Sequence, residues 1–142
     1  RAVKNLFLDT SVLLLAAGGE SPLRAPCRQL VTAATRGAVR LHLSVEGGQE
    51  YLFHRLRRVD RRRAATEFDL FDAMVVWHPF DTEILHVSVS LVREGHARGR
   101  DAVHAATALV AGFREIVTCD SDFDGIPGLR RIDPGKVSGH GE

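Results

Sequence analysis

Four aspartates stand where carboxylates make poor core material. Asp9 closes a short apolar run, Leu6-Phe7-Leu8-Asp9. Asp101 opens a helix-like stretch, Arg100-Asp101-Ala102-Val103-His104. Asp120 and Asp122 follow a second apolar run, Ile116-Val117-Thr118-Cys119. Acids at strand ends and helix starts make sense together if a sheet gathers them around a cation. Two carboxylates ~4 Å apart repel by roughly 4 kcal/mol at an effective dielectric of 20. Converging acids therefore raise a pKa or bind a hard metal ion. Oxygen-only ligands favour Mg²⁺ or Mn²⁺. Such an ion activates water and neutralises charge on a phosphodiester.

The elements that must position these acids follow from periodicity and caps. Lys4 to Asp9 reads as a buried strand, and Thr10 to Ala17 as a short helix ended by Gly18-Gly19. Ser21-Pro22 reads as the N-cap and first position of a helix running to Arg36. Ala38 to Leu43 is a second strand, and Ser44 can cap a helix reaching Arg58. A helix over Arg62 to Ala73 and a short strand over Met74 to Trp77 come next. Asp81 caps a helix to Glu94, and another helix covers Arg100 to Gly112. Glu115 to Cys119 and Leu129 to Ile132 are the last strands. Short apolar strands alternating with helices predict a parallel sheet covered on both faces. Sites in such folds lie outside the carboxyl ends of the strands. Asp9 and Asp120 both fall there, so their side chains are expected to share one crevice.

At 142 residues the chain fits one domain with one core. An apolar content of 44% and a charged content of 26% are ordinary for a globular protein. No apolar run approaches the roughly 20 residues that span a membrane, and no signal peptide is expected. The chain opens on Arg1 rather than Met, and a natural start is expected to precede it. Residues 1–134 are expected to form the domain, and 135–142, polar and Gly-rich, a flexible tail. Cys27 and Cys119 are too few for a disulfide scaffold; a buried, inert Cys119 thiol and a reducing cytoplasm are expected. A net charge of +1 gives no global pull on nucleic acid. The charge is patchy, however: His54 to Arg63 holds six arginines in ten residues. That run is either a solvated helix face or a site for phosphates or an acidic protein.

The acids also sit in four ordered motifs. Phe7-Leu8-Asp9-Thr10-Ser11 resembles the opening motif of PIN-domain ribonucleases, and Gln49-Glu50-Tyr51-Leu52 their second. Gly99-Arg100-Asp101-Ala102-Val103-His104 resembles the third, and Thr118-Cys119-Asp120-Ser121-Asp122-Phe123 the fourth. The chain is similar in particular to VapC, the toxin of VapBC toxin–antitoxin pairs. The resemblance implies a three-layer α/β/α domain with a mostly parallel five-stranded sheet. It implies Mg²⁺-dependent RNA cleavage, with Mn²⁺ as a substitute and tRNA or rRNA as the target. Carried over, Asp9, Asp101 and Asp120 become metal ligands, Glu50 binds a second ion or orients water, and Asp122 assists. A VapB-type antitoxin, a homodimer and a toxin–antitoxin hetero-oligomer are the implied partners.

Several details compete with that picture. Glu46 lies one helical turn from Glu50 on the same face, although Gln49-Glu50 fits the motif better. Gly47-Gly48 is odd inside a helix, where each Gly costs ~1 kcal/mol against Ala, so a late or loose helix start is expected. His104, three residues after Asp101, reads as a packed helix histidine. Asp120-Ser121-Asp122-Phe123-Asp124-Gly125 mimics half of a calcium loop, but its twelfth position is Arg131 instead of Glu. Ser11 replaces the second acid of a dehalogenase-type phosphatase. The remaining alternative is an inactive PIN fold that binds RNA or protein without cutting; no acid is replaced, which argues against it.

Overall fold

A computed structural model describes residues 3–137. Five strands alternate with helices: β1 (Lys4–Phe7), β2 (Val39–Ser44), β3 (Val75–His78), β4 (Glu115–Val117) and β5 (Arg130–Ile132). The helices are α1 (Thr10–Ala17), α2 (Arg24–Thr35), α3 (Val45–Leu56), α4 (Arg61–Asp72), α5 (Thr82–Arg93) and α6 (Gly99–Val110). β1, β2 and β3 pair in parallel, as do β4 and β5. A single parallel bridge, Leu8 to Val117, joins the two groups, backed by Asp9 N–H donating to the Val117 carbonyl at 3.1 Å. The resulting order is β3-β2-β1-β4-β5, all parallel. The chain leaves β3, passes β1 and adds β4 on its far side. The reversal between β1 and β4 is the switch point where open α/β sheets bind ligands.

Alternation along β1 builds the three layers. Leu6 and Leu8 face one core with Leu41, Leu43, Leu30 and Tyr51, under α1 to α4. Phe7 faces the other core with Ile84, Leu91, Ala105 and Ile116, under α5 and α6. Burial on both faces comes at the end of β1, at Leu6, Phe7 and the following Leu8; β2 still alternates, with Val39, Leu41 and Leu43 buried and Arg40 exposed. Helices over both cores make the three-layer α/β/α architecture that the resemblance implied.

Two boundaries and the burial of one cysteine differ from expectation. α2 begins at Arg24 rather than Pro22, because Ser21 closes a turn first: its hydroxyl accepts from Leu23 N–H at 3.1 Å. At the other end, Pro134–Lys136 forms a 3-10 turn, and Pro134 and Val137 are buried. Ordered chain thus continues past residue 134, while 138–142 lie outside the described residues. Cys119 is half-buried rather than fully buried. Burial pushes both thiols up, Cys27 to about 12, so neither is a ready nucleophile. Among the described residues no helix is long and apolar enough to cross a membrane.

The glycine pair does not loosen α3. That helix is regular from Val45, and Ser44 caps it by accepting from Glu46 N–H at 3.1 Å. A Cβ on Gly47 would stand 2.8 Å from Thr10 Oγ1, and one on Gly48 2.8 Å from the Trp77 ring. The missing side chains let α3 press against α1 on one side and β3 on the other. Trp77 is itself pinned, stacked on Phe68 at 5.8 Å and donating to Asp72 at 2.7 Å.

Candidate active site

The acids arrive on four segments, Asp120 and Asp122 sharing one. Asp9 follows β1 and stands at the N-cap of α1, yet its carboxylate makes no cap hydrogen bond. It accepts instead from Ser11 Oγ at 2.7 Å and from Thr118 Oγ1 at 2.9 Å. An ordinary strand-end acid would have capped the helix; this one is held facing the switch point. Thr118, just past β4, is wholly buried and also accepts from Asp120 N–H at 3.0 Å. One hydroxyl therefore ties the first acidic motif to the last. Asp120 Oδ1 in turn accepts from Asp122 N–H at 2.9 Å, starting a 3-10 turn over Ser121–Phe123. Arg131 steadies the end of that loop by donating to Asp124 and Asp133, each at 2.8 Å. The calcium-loop mimic thus has a guanidinium where its defining glutamate would be.

Glu50 projects from the middle of α3, brought close by the Gly47 contact. Oxygens of Asp9 and Glu50 and a ring nitrogen of His104 lie within 4.8 Å of one another. Glu46 is not part of this group. His104 is buried, and its Nε2 lies 3.2 Å from Glu50 Oε1, so Nε2–H donates there. Arg100 donates weakly to the other oxygen at 3.5 Å. Burial raises the Glu50 pKa, but the His104 hydrogen bond and charge, the adjacent Thr10 hydroxyl and Arg100 outweigh it and take it to about 2. The Thr10 hydroxyl is buried without a partner at ordinary hydrogen-bond geometry.

Asp101, in the first turn of α6, forms a second group with Asp120 and Asp122, their oxygens again within 4.8 Å. Its pKa is pushed up to about 6, first by burial and then by the charges of Asp9, Asp120 and Asp122, against a smaller pull from His104. A helix N-terminus alone would lower that pKa. Burial is the first cause of the rise and the neighbouring carboxylates the second. All five acids named from the sequence therefore meet, in two linked groups. A cleft of about 440 Å³ lined by His96, Arg98, Asp101 and Asp122 opens onto the second group.

The donor set suits a hard divalent cation: five carboxylates, one imidazole and a spare buried hydroxyl. Asp9 stands with Glu50 and His104 in the first group, and Asp101 with Asp120 and Asp122 in the second, so the three expected ligands are divided between the two. Sequence reasoning missed Thr118 and underrated His104. Nothing local marked either; a threonine in an apolar run and a histidine on an alanine-rich helix both read as packing.

A parallel sheet whose switch point gathers carboxylates defines a class of metal-dependent phosphodiester hydrolases. The PIN domain family model matches residues 6–129, and the chain belongs to that family. It is 45% identical over 132 residues to Ribonuclease VapC7 of Mycobacterium tuberculosis, covering 91% of each chain. It is 26% identical to Ribonuclease VapC13 of the same organism, covering 89% of this chain and 98% of the relative. Among solved structures it resembles M. tuberculosis VapC20, described as a sarcin–ricin loop cleaving toxin, with TM-score 0.69, 18% identity and 88% and 98% coverage. A toxin–antitoxin complex from Klebsiella pneumoniae matches with TM-score 0.67, 21% identity and 93% and 99% coverage.

Proposed function

We propose that this chain is a Mg²⁺-dependent ribonuclease of the VapC toxin type, acting in the cytoplasm on a tRNA or rRNA. The convergence of Asp9, Glu50, Asp101, Asp120 and Asp122 at the switch point carries the reading. The 45% identity to a VapC ribonuclease over most of both chains supports it. Asp9, Asp101 and Asp120 would hold Mg²⁺, for which Mn²⁺ is a substitute. When bound, that ion lowers the pKa of water and screens charge on phosphorus. The protein's own groups do the rest. Ser11 and Thr118 fix the Asp9 carboxylate in one orientation. His104 keeps Glu50 ionised and aimed, so that it can orient the attacking water. Asp101 is held in its ionised form when a cation is bound, against the burial and neighbouring charges that raise its pKa to about 6. Asp122, at the exposed edge, assists on the substrate side. Arg98 lies beside the cleft, suited to a backbone phosphate. The products are a 5′-phosphate and a 3′-hydroxyl.

A VapB-type antitoxin is the proposed inhibitor, in a hetero-oligomer built on a toxin homodimer, since several structural neighbours are such toxin–antitoxin complexes. The test is cleavage of total cellular RNA with Mg²⁺, with Mn²⁺ and with chelator. Cleavage by the parent, lost on chelation and reduced at least about 10²-fold in Asp9→Asn and Asp101→Asn, is expected. Metal-independent cutting, or equal activity in both variants, would sink it.

A further inference from the structure

The arginine run takes no part in the acidic cluster. A groove of about 660 Å³ lies between the last turn of α1 and the junction of α3 with α4. Leu14 and Leu15 line it from α1, facing Arg55, Arg57, Arg58 and Arg63. Two of these guanidiniums are engaged: Glu67 accepts from Arg55 Nε at 2.8 Å and from Arg63 Nε at 3.1 Å. Among the described residues Arg57 and Arg58 have no ion-pair partner. Arg57 only rests over the Phe53 ring, 5.5 Å from its centre. The one carboxylate lining the groove, Glu20, pairs with Arg24 at 3.2 Å. The groove therefore presents uncompensated positive charge.

The acid sits within α3, Arg57 is the C-cap of that helix, and Arg58 follows in the turn to α4. Glu50, His54 and Arg57 are spaced i, i+4 and i+7, so they share one face of α3. At 1.5 Å of rise per residue, Arg57 lies ~10 Å along the axis from Glu50, with Arg58 next to it in the turn. A stacked strand advances about 3.4 Å per phosphate, so that distance is roughly three nucleotides.

We propose that this groove is an anion track that binds RNA phosphates about three nucleotides from the bond that is cut. The inference rests on the ribonuclease reading and adds where the strand runs. A polyanion with regularly spaced charge fits two free guanidiniums on successive residues better than a peptide bearing isolated acids. Arginine's fork also suits phosphate oxygens.

The experiment uses the full chain carrying Asp101→Asn, so that RNA is held without being cut. Fluorescence anisotropy follows a labelled mixed-sequence 20-nucleotide RNA and a trinucleotide over a range of KCl. Adding R57Q and R58Q is expected to weaken the 20-mer about tenfold near 0.15 M salt and to flatten the log K against log salt slope by about 1.4, at ~0.7 per phosphate on a single strand. The trinucleotide should not change, and R57K with R58K should keep the slope. Unchanged affinity and slope for the 20-mer would overturn the proposal. So would unchanged RNA binding together with lost inhibition by a VapB-type protein, which would assign the groove to an acidic partner. Failure of the parent to cut RNA at all would instead remove the ribonuclease reading, and is scored separately in the cleavage assay.

Discussion

Thr118 shows how much of a site can hang on one hydroxyl. It joins Asp9 and Asp120, residues separated by more than a hundred positions. Thr118→Val keeps the shape and removes both bonds. Leaving a buried carboxylate and an amide short of a partner costs about 1–3 kcal/mol. Urea unfolding should show that loss, and RNA cleavage should fall by about 10–100-fold as Asp9 loses its fixed orientation. Full activity with normal stability would mean the hydroxyl holds nothing that matters. Asp101 gives a prediction of opposite sign. Its folded pKa of about 6 lies above the ordinary value of 3.8. The fold therefore favours the protonated acid, and that stabilisation is lost as pH rises through about 6. In chelator, Asp101→Asn should melt higher than the parent at pH 7.5 and no higher at pH 4. Mg²⁺ should close the gap by stabilising the parent alone. A variant that melts lower at pH 7.5 without metal would contradict the crowding. The acids themselves could be read from the sequence because motif order and element ends carry them. Thr118 and His104 could not, since their roles arise only when distant elements meet.

Helix α3 sets the position of Glu50 through what its glycines lack. Helix propensity predicts that Gly47→Ala should stabilise by ~1 kcal/mol. The space says otherwise, because the new Cβ would meet Thr10 Oγ1 at 2.8 Å and His104 Cε1 at 3.5 Å. Overpacking typically costs about 1–3 kcal/mol. Gly47→Ala should therefore lower both stability and cleavage by shifting Glu50 away from Asp9. Gly48→Ala strikes the Trp77 ring and should lower stability while leaving kcat near that of the parent. Thermal melts beside single-turnover cleavage separate the two, and equal loss of kcat in both would refute the division. From sequence alone the pair looked like a break in the helix. The reason it is not one lies in α1 and β3, which no local pattern reports. Strand and helix types were otherwise legible, because periodicity and the caps at Ser44 and Asp81 are local signals.

At the scale of the molecule, the alternation of strands and helices made the parallel three-layer design legible, but not the order of its strands. Nothing in the sequence says that β4 lands beside β1. The contact that says so is narrow: one bridge at Leu8 and Val117, and a few bonds at the strand ends. Two cores nevertheless share the sheet, since Phe7 and Leu8 are neighbours pointing into different ones. Unfolding should therefore be a single transition, with the same midpoint by Trp77 fluorescence and by far-UV dichroism. Two separated midpoints would show that the β4–β5 side melts on its own. Saturation with Mg²⁺ at 100 times its dissociation constant should add about 2.7 kcal/mol.

That narrow seam also has a consequence for how the protein is made. Asp9 emerges from the ribosome more than a hundred residues before Thr118, Asp120 and Asp122. Until β4 reaches β1, the early acids have no counterpart and nothing is there to cut RNA. A nuclease arranged this way is harmless to the machinery translating it until β4 has been made and has docked. The interval between the two is when an inhibitor can already be waiting.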